Sequence, residues 1–125
     1  MQKQSVAIVG LGRVGSVFLE KLLAQTNKGI VIAAVAEKGA TTGAALAKSR
    51  GIENLTIDQL VAKSKSIDIL FDLTGLTEVR HELREKLKAS GNQNTVIATE
   101  SIASFIWALI SEGESLPDVH SKVGY

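Results

Sequence analysis

Three glycines interrupt an apolar stretch near the start of this chain, VAIVGLGRVGSVF at positions 6–18. Gly10, Gly12 and Gly15 have the spacing G-x-G-x-x-G, and the apolar residues that follow are spaced as on one face of a helix. Glycine is common here, at 11 residues, so the spacing alone is a weak signal, but its place between a strand and a helix makes it specific. The stretch predicts a buried strand, a tight turn and a helix.

Three further apolar runs, at positions 30–36, 67–73 and 95–98, are rich in valine and isoleucine and do not alternate strictly with polar residues. This pattern is typical of strands that are buried on both faces. Segments with helical spacing separate the runs, and such alternation favours parallel strands with helices on both sides. The predicted fold class is therefore α/β, a doubly wound parallel sheet in a single three-layer domain.

Shorter elements are expected between the second and third of these four runs. A helix is predicted over positions 42–50, ending at Gly51, and Thr56 with Gln59 predicts a capping box for a helix that continues to position 62. The residues between these helices, 52–57, predict a short additional strand.

The length of 125 residues favours one domain. We expect it to occupy residues 1–112, because residues 113–125, GESLPDVHSKVGY, lose periodicity and contain the single proline, Pro117. This last segment is expected to be a polar tail or a linker towards a further domain.

Composition excludes several classes of function. The net charge of +1 argues against a basic surface for nucleic acid, and the lack of cysteine excludes disulfides, thiolate metal sites and a cysteine nucleophile. Of the two histidines, His81 lies in a charged helical segment and His120 in the last segment, so no metal site is expected. No apolar run approaches membrane-spanning length and the first residues do not match a signal peptide, so a cytoplasmic protein is expected.

The glycine turn has a chemical interpretation. Gly10 allows the tight turn, Gly12 lets the backbone approach a pyrophosphate, and Gly15 lets helix and strand pack closely. The diphosphate would then bind at the helix N-terminus, where free N–H groups and the helix dipole favour an anion. The alternative is a tight turn that binds no ligand.

Glu37 ends the second apolar run, about twenty residues past the turn, where a carboxylate accepts hydrogen bonds from the adenosine ribose. A negative charge at this point repels a 2′-phosphate and favours NAD over NADP. Lys38 and Arg13 can neutralise a phosphate, so NADP stays an alternative. Glu37 and Arg13 can also be ordinary surface side chains.

The sequence Asp72-Leu73-Thr74-Gly75 lies at the end of the third of the four apolar runs, at the strand ends where ligands bind in open α/β sheets. Thr74 can offer its hydroxyl and Gly75 a close backbone approach to the ligand. Equally, Thr74 or Thr77 can cap the next helix, with Gly75 serving the turn.

The last predicted helix, IASFIWALI at 102–110, is apolar nearly all round. We expect the stripe of Ile102, Phe105, Ile106 and Leu109 to pack against the sheet, with Trp107 and Ile110 outside it. The helix that bears Phe105, Trp107 and Ile110 then predicts a partner, either a second copy in a homodimer or a following domain. The alternative is a buried terminal helix with Trp107 covered by the tail.

Four segments together, VAIVGLGRVGSVFLEKL, VIAAVAEKG, IDILFDLTG and TVIATES, resemble the N-terminal NAD(P)-binding Rossmann domain of the homoserine dehydrogenase, aspartate dehydrogenase and dihydrodipicolinate reductase group. The resemblance covers about residues 5–110. It implies that the ribose meets Glu37 and that Thr74 and Gly75 border the nicotinamide side. It also implies that five residues surround the pyrophosphate: Gly10, Gly12, Arg13, Val14 and Gly15.

The chain departs from that family at two points. Homoserine dehydrogenases have an Asn-Lys pair after the last of these strands, where this chain has Glu100-Ser101. The substrate domain of the family would begin near where this chain ends. We therefore expect the cofactor domain of an oxidoreductase that is not catalytic by itself. The alternative is a non-catalytic nucleotide-binding sensory or regulatory module, which resembles Rossmann-like domains found before sensor modules.

Overall fold

The computed structural model describes residues 3–111, which form a parallel four-stranded sheet with helices on both faces. The predicted tail at 113–125, with Pro117 and His120, lies outside the described residues. The strands and helices are β1 (Gln4–Val9), α1 (Arg13–Leu23), β2 (Ile30–Ala36), α2 (Thr42–Ser49), α3 (Ile57–Ala62), β3 (Ile69–Asp72), α4 (Thr77–Ala89), β4 (Val96–Ala98) and α5 (Glu100–Ile110). None of the helices in this part of the chain is long and apolar enough to cross a membrane.

Alternate residues of β1 enter two separate cores. Val6 and Ile8 pack on one face of the sheet with residues of α1, α2 and α5, whereas Ala7 and Val9 pack on the other face with α3 and α4. Side chains of a strand point alternately to opposite faces, so a strand that is apolar throughout needs a cover on both. The three-layer, doubly wound α/β fold predicted from the sequence is confirmed.

The sheet order is β2-β1-β3-β4, so the chain leaves β1 towards one edge and later returns to its other side. The reversal places the carboxyl ends of β1 and β3 side by side. Ligands of open α/β sheets bind in the crevice at this point. The glycine turn, which follows β1, lies there.

The prediction of an extra strand at residues 52–57 is wrong. The segment makes one parallel bridge, between Val35 and Asn54. The side chain of Asn54 extends this pairing, because its amide group forms hydrogen bonds with both the N–H and the C=O of Glu37. The predicted helices on either side are confirmed, including the capping box of Thr56 and Gln59.

Helix α5 presents a largely different face to the sheet from the one predicted, since Ile106 packs against the core as expected but Ile102, Phe105 and Leu109 are exposed. Trp107 is only 5% exposed and Ala103 is fully buried, whereas Phe105 is 64% and Leu109 70% exposed. Ala103 and Trp107 lie one turn apart, and the small alanine lets the helix approach closely enough for the indole to cover the sheet. The expected partner, a second copy or a following domain, would therefore meet Phe105 and Leu109, and not Trp107.

Trp107→Ala is expected to lower the free energy of unfolding by about 3–5 kcal/mol, because it empties a core position. The matched change on the exposed face, Phe105→Ala, is expected to cost no more than about 0.5 kcal/mol. Urea unfolding followed by circular dichroism measures both. Similar losses for the two variants would show that α5 is not packed through its Trp107 face.

Candidate functional site

Gly10 and Gly15 are fixed by backbone packing. Gly10 has φ +93°, and a side chain there would approach the backbone N of Thr74 to 2.9 Å. A Cβ at Gly15 would lie 1.8 Å from the carbonyl oxygen of Gly10. The first glycine thus brings the turn against the loop after β3, and the third lets α1 start directly against the end of β1.

Gly12 differs from the other two glycines. It is exposed, and a Cβ built on it would meet no atom within 4 Å. It is also the N-cap of α1, whose N-terminus has no side-chain cap and no acidic residue in its first turn. Uncapped N–H groups at a helix N-terminus favour an anion.

Glu37 is bound to the glycine turn. One carboxylate oxygen accepts a hydrogen bond from the N–H of Leu11 at 2.6 Å, and the other accepts one from Gly39 at 2.8 Å. Asn54 holds the backbone of Glu37, donating to its C=O at 3.0 Å and accepting from its N–H at 2.9 Å. The half-buried carboxylate is therefore fixed beside the turn. Asn54 was missed by the sequence analysis, where it was only a polar residue inside a predicted strand.

A cleft of about 770 Å³ opens beside the turn, between the loops that follow β1, β2 and β3. Its size is within the usual range of small-molecule sites. Most of the residues predicted from the sequence line it: Gly10, Gly12, Arg13, Val14, Glu37, Lys38 and Thr74. The other two, Gly15 and Gly75, are buried outside its lining.

Thr74 stabilises the loop after β3 through hydrogen bonds of its hydroxyl group. Its hydroxyl donates to Asp72 at 2.7 Å and accepts from the N–H of Leu76 at 3.1 Å. The N-cap of α4 is Leu76 and no side chain caps the helix, so the alternative in which Thr74 or Thr77 is the cap is wrong. Gly75 has φ +73° and serves this turn.

Away from the glycine turn, the cleft is lined by apolar side chains and then by a group of charged ones. The walls are Leu55, Ile57, Leu76 and Val79. Lys86 lies beyond them, with its Nζ 2.7 Å from Asp58 and 2.6 Å from Glu82. These two carboxylates raise the pKa of Lys86 above its ordinary value of 10.5.

A second charged cluster lies at the carboxyl ends of β3 and β4. Asp72 is completely buried, and its Oδ2 is 3.3 Å from the Nε of Arg80. The same guanidinium donates to Glu100 at 2.7 Å. Glu100 thus forms an ion pair at the position where the homoserine dehydrogenases that this sequence resembles have an Asn-Lys pair. His81, on the same helix as Arg80, is exposed.

Among residues 3–111, no group of three His, Cys, Asp or Glu side chains is arranged to hold a metal ion.

Several solved structures have a similar fold. The chain matches homoserine dehydrogenase of S. aureus at pH 7.5 with a TM-score of 0.56 and 16% identity, over 88% of this chain and 29% of that one. The pH 8.5 structure of the same enzyme matches with a TM-score of 0.52 and 16% identity, over 81% and 33%. The chain has a Rossmann-like fold.

A third similar structure is that of RSP in complex with β-NAD+ and operator DNA, with a TM-score of 0.54 and 10% identity, over 86% of this chain and 55% of RSP. The composition predicts no nucleic-acid partner, whereas RSP, a protein with a similar domain, is bound to DNA. The chain spans 29% to 55% of the lengths of the protein chains in these three structures. No family model and no curated protein matches the sequence.

Proposed function

We propose that this chain binds a nicotinamide dinucleotide, NAD in preference to NADP, in the cleft beside the glycine turn. The observation that carries the proposal is the open space at Gly12, on the uncapped N-terminus of α1 and at the wall of the cleft. The pyrophosphate would bind there, against the first-turn N–H groups of α1. Gly10, Arg13 and Val14 would surround it, with Gly15 packed behind.

The position of Glu37 supports the preference for NAD. Its carboxylate is fixed beside the turn by the N–H groups of Leu11 and Gly39, so it can accept a hydrogen bond from a ribose hydroxyl and repel a 2′-phosphate. Lys38 and Arg13 also line the cleft and offset part of this repulsion. NADP is therefore expected to bind more weakly than NAD, with Thr74 contacting the middle of either ligand and Gly75 shaping the loop.

Two roles fit such a site. The first is the cofactor domain of an oxidoreductase resembling homoserine dehydrogenase. The second is a regulatory module that binds the nucleotide without chemistry. The similarity to homoserine dehydrogenase supports the first role, and the similarity to RSP, which is bound to both β-NAD+ and DNA, supports the second.

Calorimetric titration with NAD, NADH, NADP and ATP tests the proposal directly. We expect saturable binding of NAD and about tenfold weaker binding of NADP, because one repulsive charge pair is added. No saturable binding of any of these ligands at about millimolar concentration would rule out a dinucleotide site.

Gly12→Val is expected to weaken NAD binding by at least about 100-fold, because the new side chain takes the space proposed for the pyrophosphate. Folding should be preserved, since the added Cβ meets no atom within 4 Å. Titration with NAD and urea unfolding of the same sample give the two readouts. A folded Gly12→Val protein with normal affinity would place the ligand elsewhere.

A further inference from the structure

The cluster of Asp72, Arg80 and Glu100 joins three elements at one end of the sheet. Asp72 ends β3, Glu100 begins α5 directly after β4, and Arg80 belongs to the first turn of α4. The side chain of Asp72 is 0% exposed, that of Arg80 15% and that of Glu100 16%. Two carboxylates and one guanidinium give this region a formal charge of −1.

In a Rossmann-like fold a dinucleotide lies across the point where the strand order reverses, with one mononucleotide over each half of the sheet. Glu37, at the end of β2, marks the adenosine half. The carboxyl ends of β3 and β4 mark the second half, and there the cluster lies. Of the described residues, those that line the cleft end at Lys86 in α4, so β4 and α5 contribute no wall to it.

The cluster is also costly to move. Asp72 is completely buried, and withdrawing Arg80 would leave that carboxylate without its cation, which is strongly unfavourable for a buried pair. A nicotinamide ring that displaced Arg80 would have to supply this free energy from its own contacts. We therefore expect the ion pairs to stay closed when a ligand binds.

We propose that the chain binds its ligand through the adenosine diphosphate half alone, with the nicotinamide ring outside its contacts. This inference rests on the proposed function, and it names the ligand class as nucleotides that contain adenosine diphosphate. The glycine turn binds the diphosphate, Glu37 the ribose, and the apolar walls at Leu55 and Val79 the adenine. Such a site does not distinguish oxidised from reduced nicotinamide.

The test is a calorimetric series with ADP-ribose, NAD+, NADH and nicotinamide mononucleotide on the full chain. We expect the first three to bind with dissociation constants within about threefold of one another, and nicotinamide mononucleotide not to bind at about 1 mM. NAD+ or NADH binding more than about threefold tighter than ADP-ribose, or saturable binding of the mononucleotide, would overturn the inference but not the proposed function. If none of the four binds, the proposed function itself fails.

Two conservative variants locate the ligand. Glu37→Gln should weaken ADP-ribose, NAD+ and NADH by the same factor, because all three share the adenosine ribose. Glu100→Gln removes one charge from the cluster and should leave the ratio of NAD+ to NADH affinity unchanged. The ring of NAD+ is cationic and that of NADH is neutral, so a ring docked on the cluster would lose part of its preference for the oxidised form in Glu100→Gln. A changed ratio would overturn the inference.

Discussion

Gly15→Ala is expected to lower the free energy of unfolding by at least about 3 kcal/mol, a large part of the stability of a small domain. The added Cβ would lie 1.8 Å from the carbonyl oxygen of Gly10 and 2.8 Å from its carbonyl carbon. Both atoms are backbone, and Gly10 is itself held against Thr74, so no flexible side chain can move to make room. Urea unfolding followed by circular dichroism measures the loss.

The expected loss of stability is opposite in sign to the change that helix propensity alone predicts for Gly15→Ala. Gly15 lies inside α1, where alanine favours the helix over glycine by about 1 kcal/mol. Gly12→Ala is the matched control, since its Cβ meets nothing within 4 Å and its φ of −78° suits any residue. We expect it to change stability by no more than about 0.5 kcal/mol. A Gly15→Ala protein as stable as this control would contradict the close packing of α1 on β1.

Most of the fold could be predicted from local sequence patterns. The run at 30–36 coincides with β2, and the capping box of Thr56 and Gln59 forms as predicted, because each depends on residues close together in the chain. The glycine turn was predictable for the same reason. Its spacing, its strand and its helix occupy one short stretch, and the requirement for glycine at two of its positions is satisfied within that stretch and the facing loop.

The features that sequence reasoning missed depend on distant contacts. Helix α5 is apolar on most sides, so its pattern could not select the face that packs, and the close approach at Ala103 selected the face of Trp107. Asn54 has no local signal, because its amide pairs with a strand end 17 residues away along the chain. The short segment around it was too close to both neighbouring helices to extend as a strand.

Arg80 illustrates the same limit at the site. In the sequence it is one of several charges on a solvated helix, and only the fold brings it to Asp72 and Glu100. The departure at Glu100 was visible from the sequence, but its meaning was not. Because Glu100 pairs with Arg80, the side chains at the carboxyl ends of β3 and β4 bind one another. The cleft opens instead towards the loop after β2 and towards α3.

Arg80→Met is expected to lower the free energy of unfolding by about 3 kcal/mol, because the completely buried carboxylate of Asp72 loses its cation while the methionine keeps most of the packing. Asp72 would keep only its hydrogen bonds from Thr74, at 2.7 and 3.1 Å. These bonds satisfy one of its oxygens and leave the other, which faces Arg80, buried with a charge and no partner.

A double-mutant cycle separates this pairing from a general effect of losing Arg80. Asp72→Asn removes the charge and keeps an oxygen that can accept from Thr74, so adding it to Arg80→Met should restore at least about 1 kcal/mol by removing the unpaired buried charge. Urea unfolding of the four proteins gives the coupling free energy. Purely additive losses would mean that the guanidinium does not neutralise Asp72. The second half of the sheet would then lack the ion pair that closes it, because the cost of moving Arg80 depends on the charge it leaves behind.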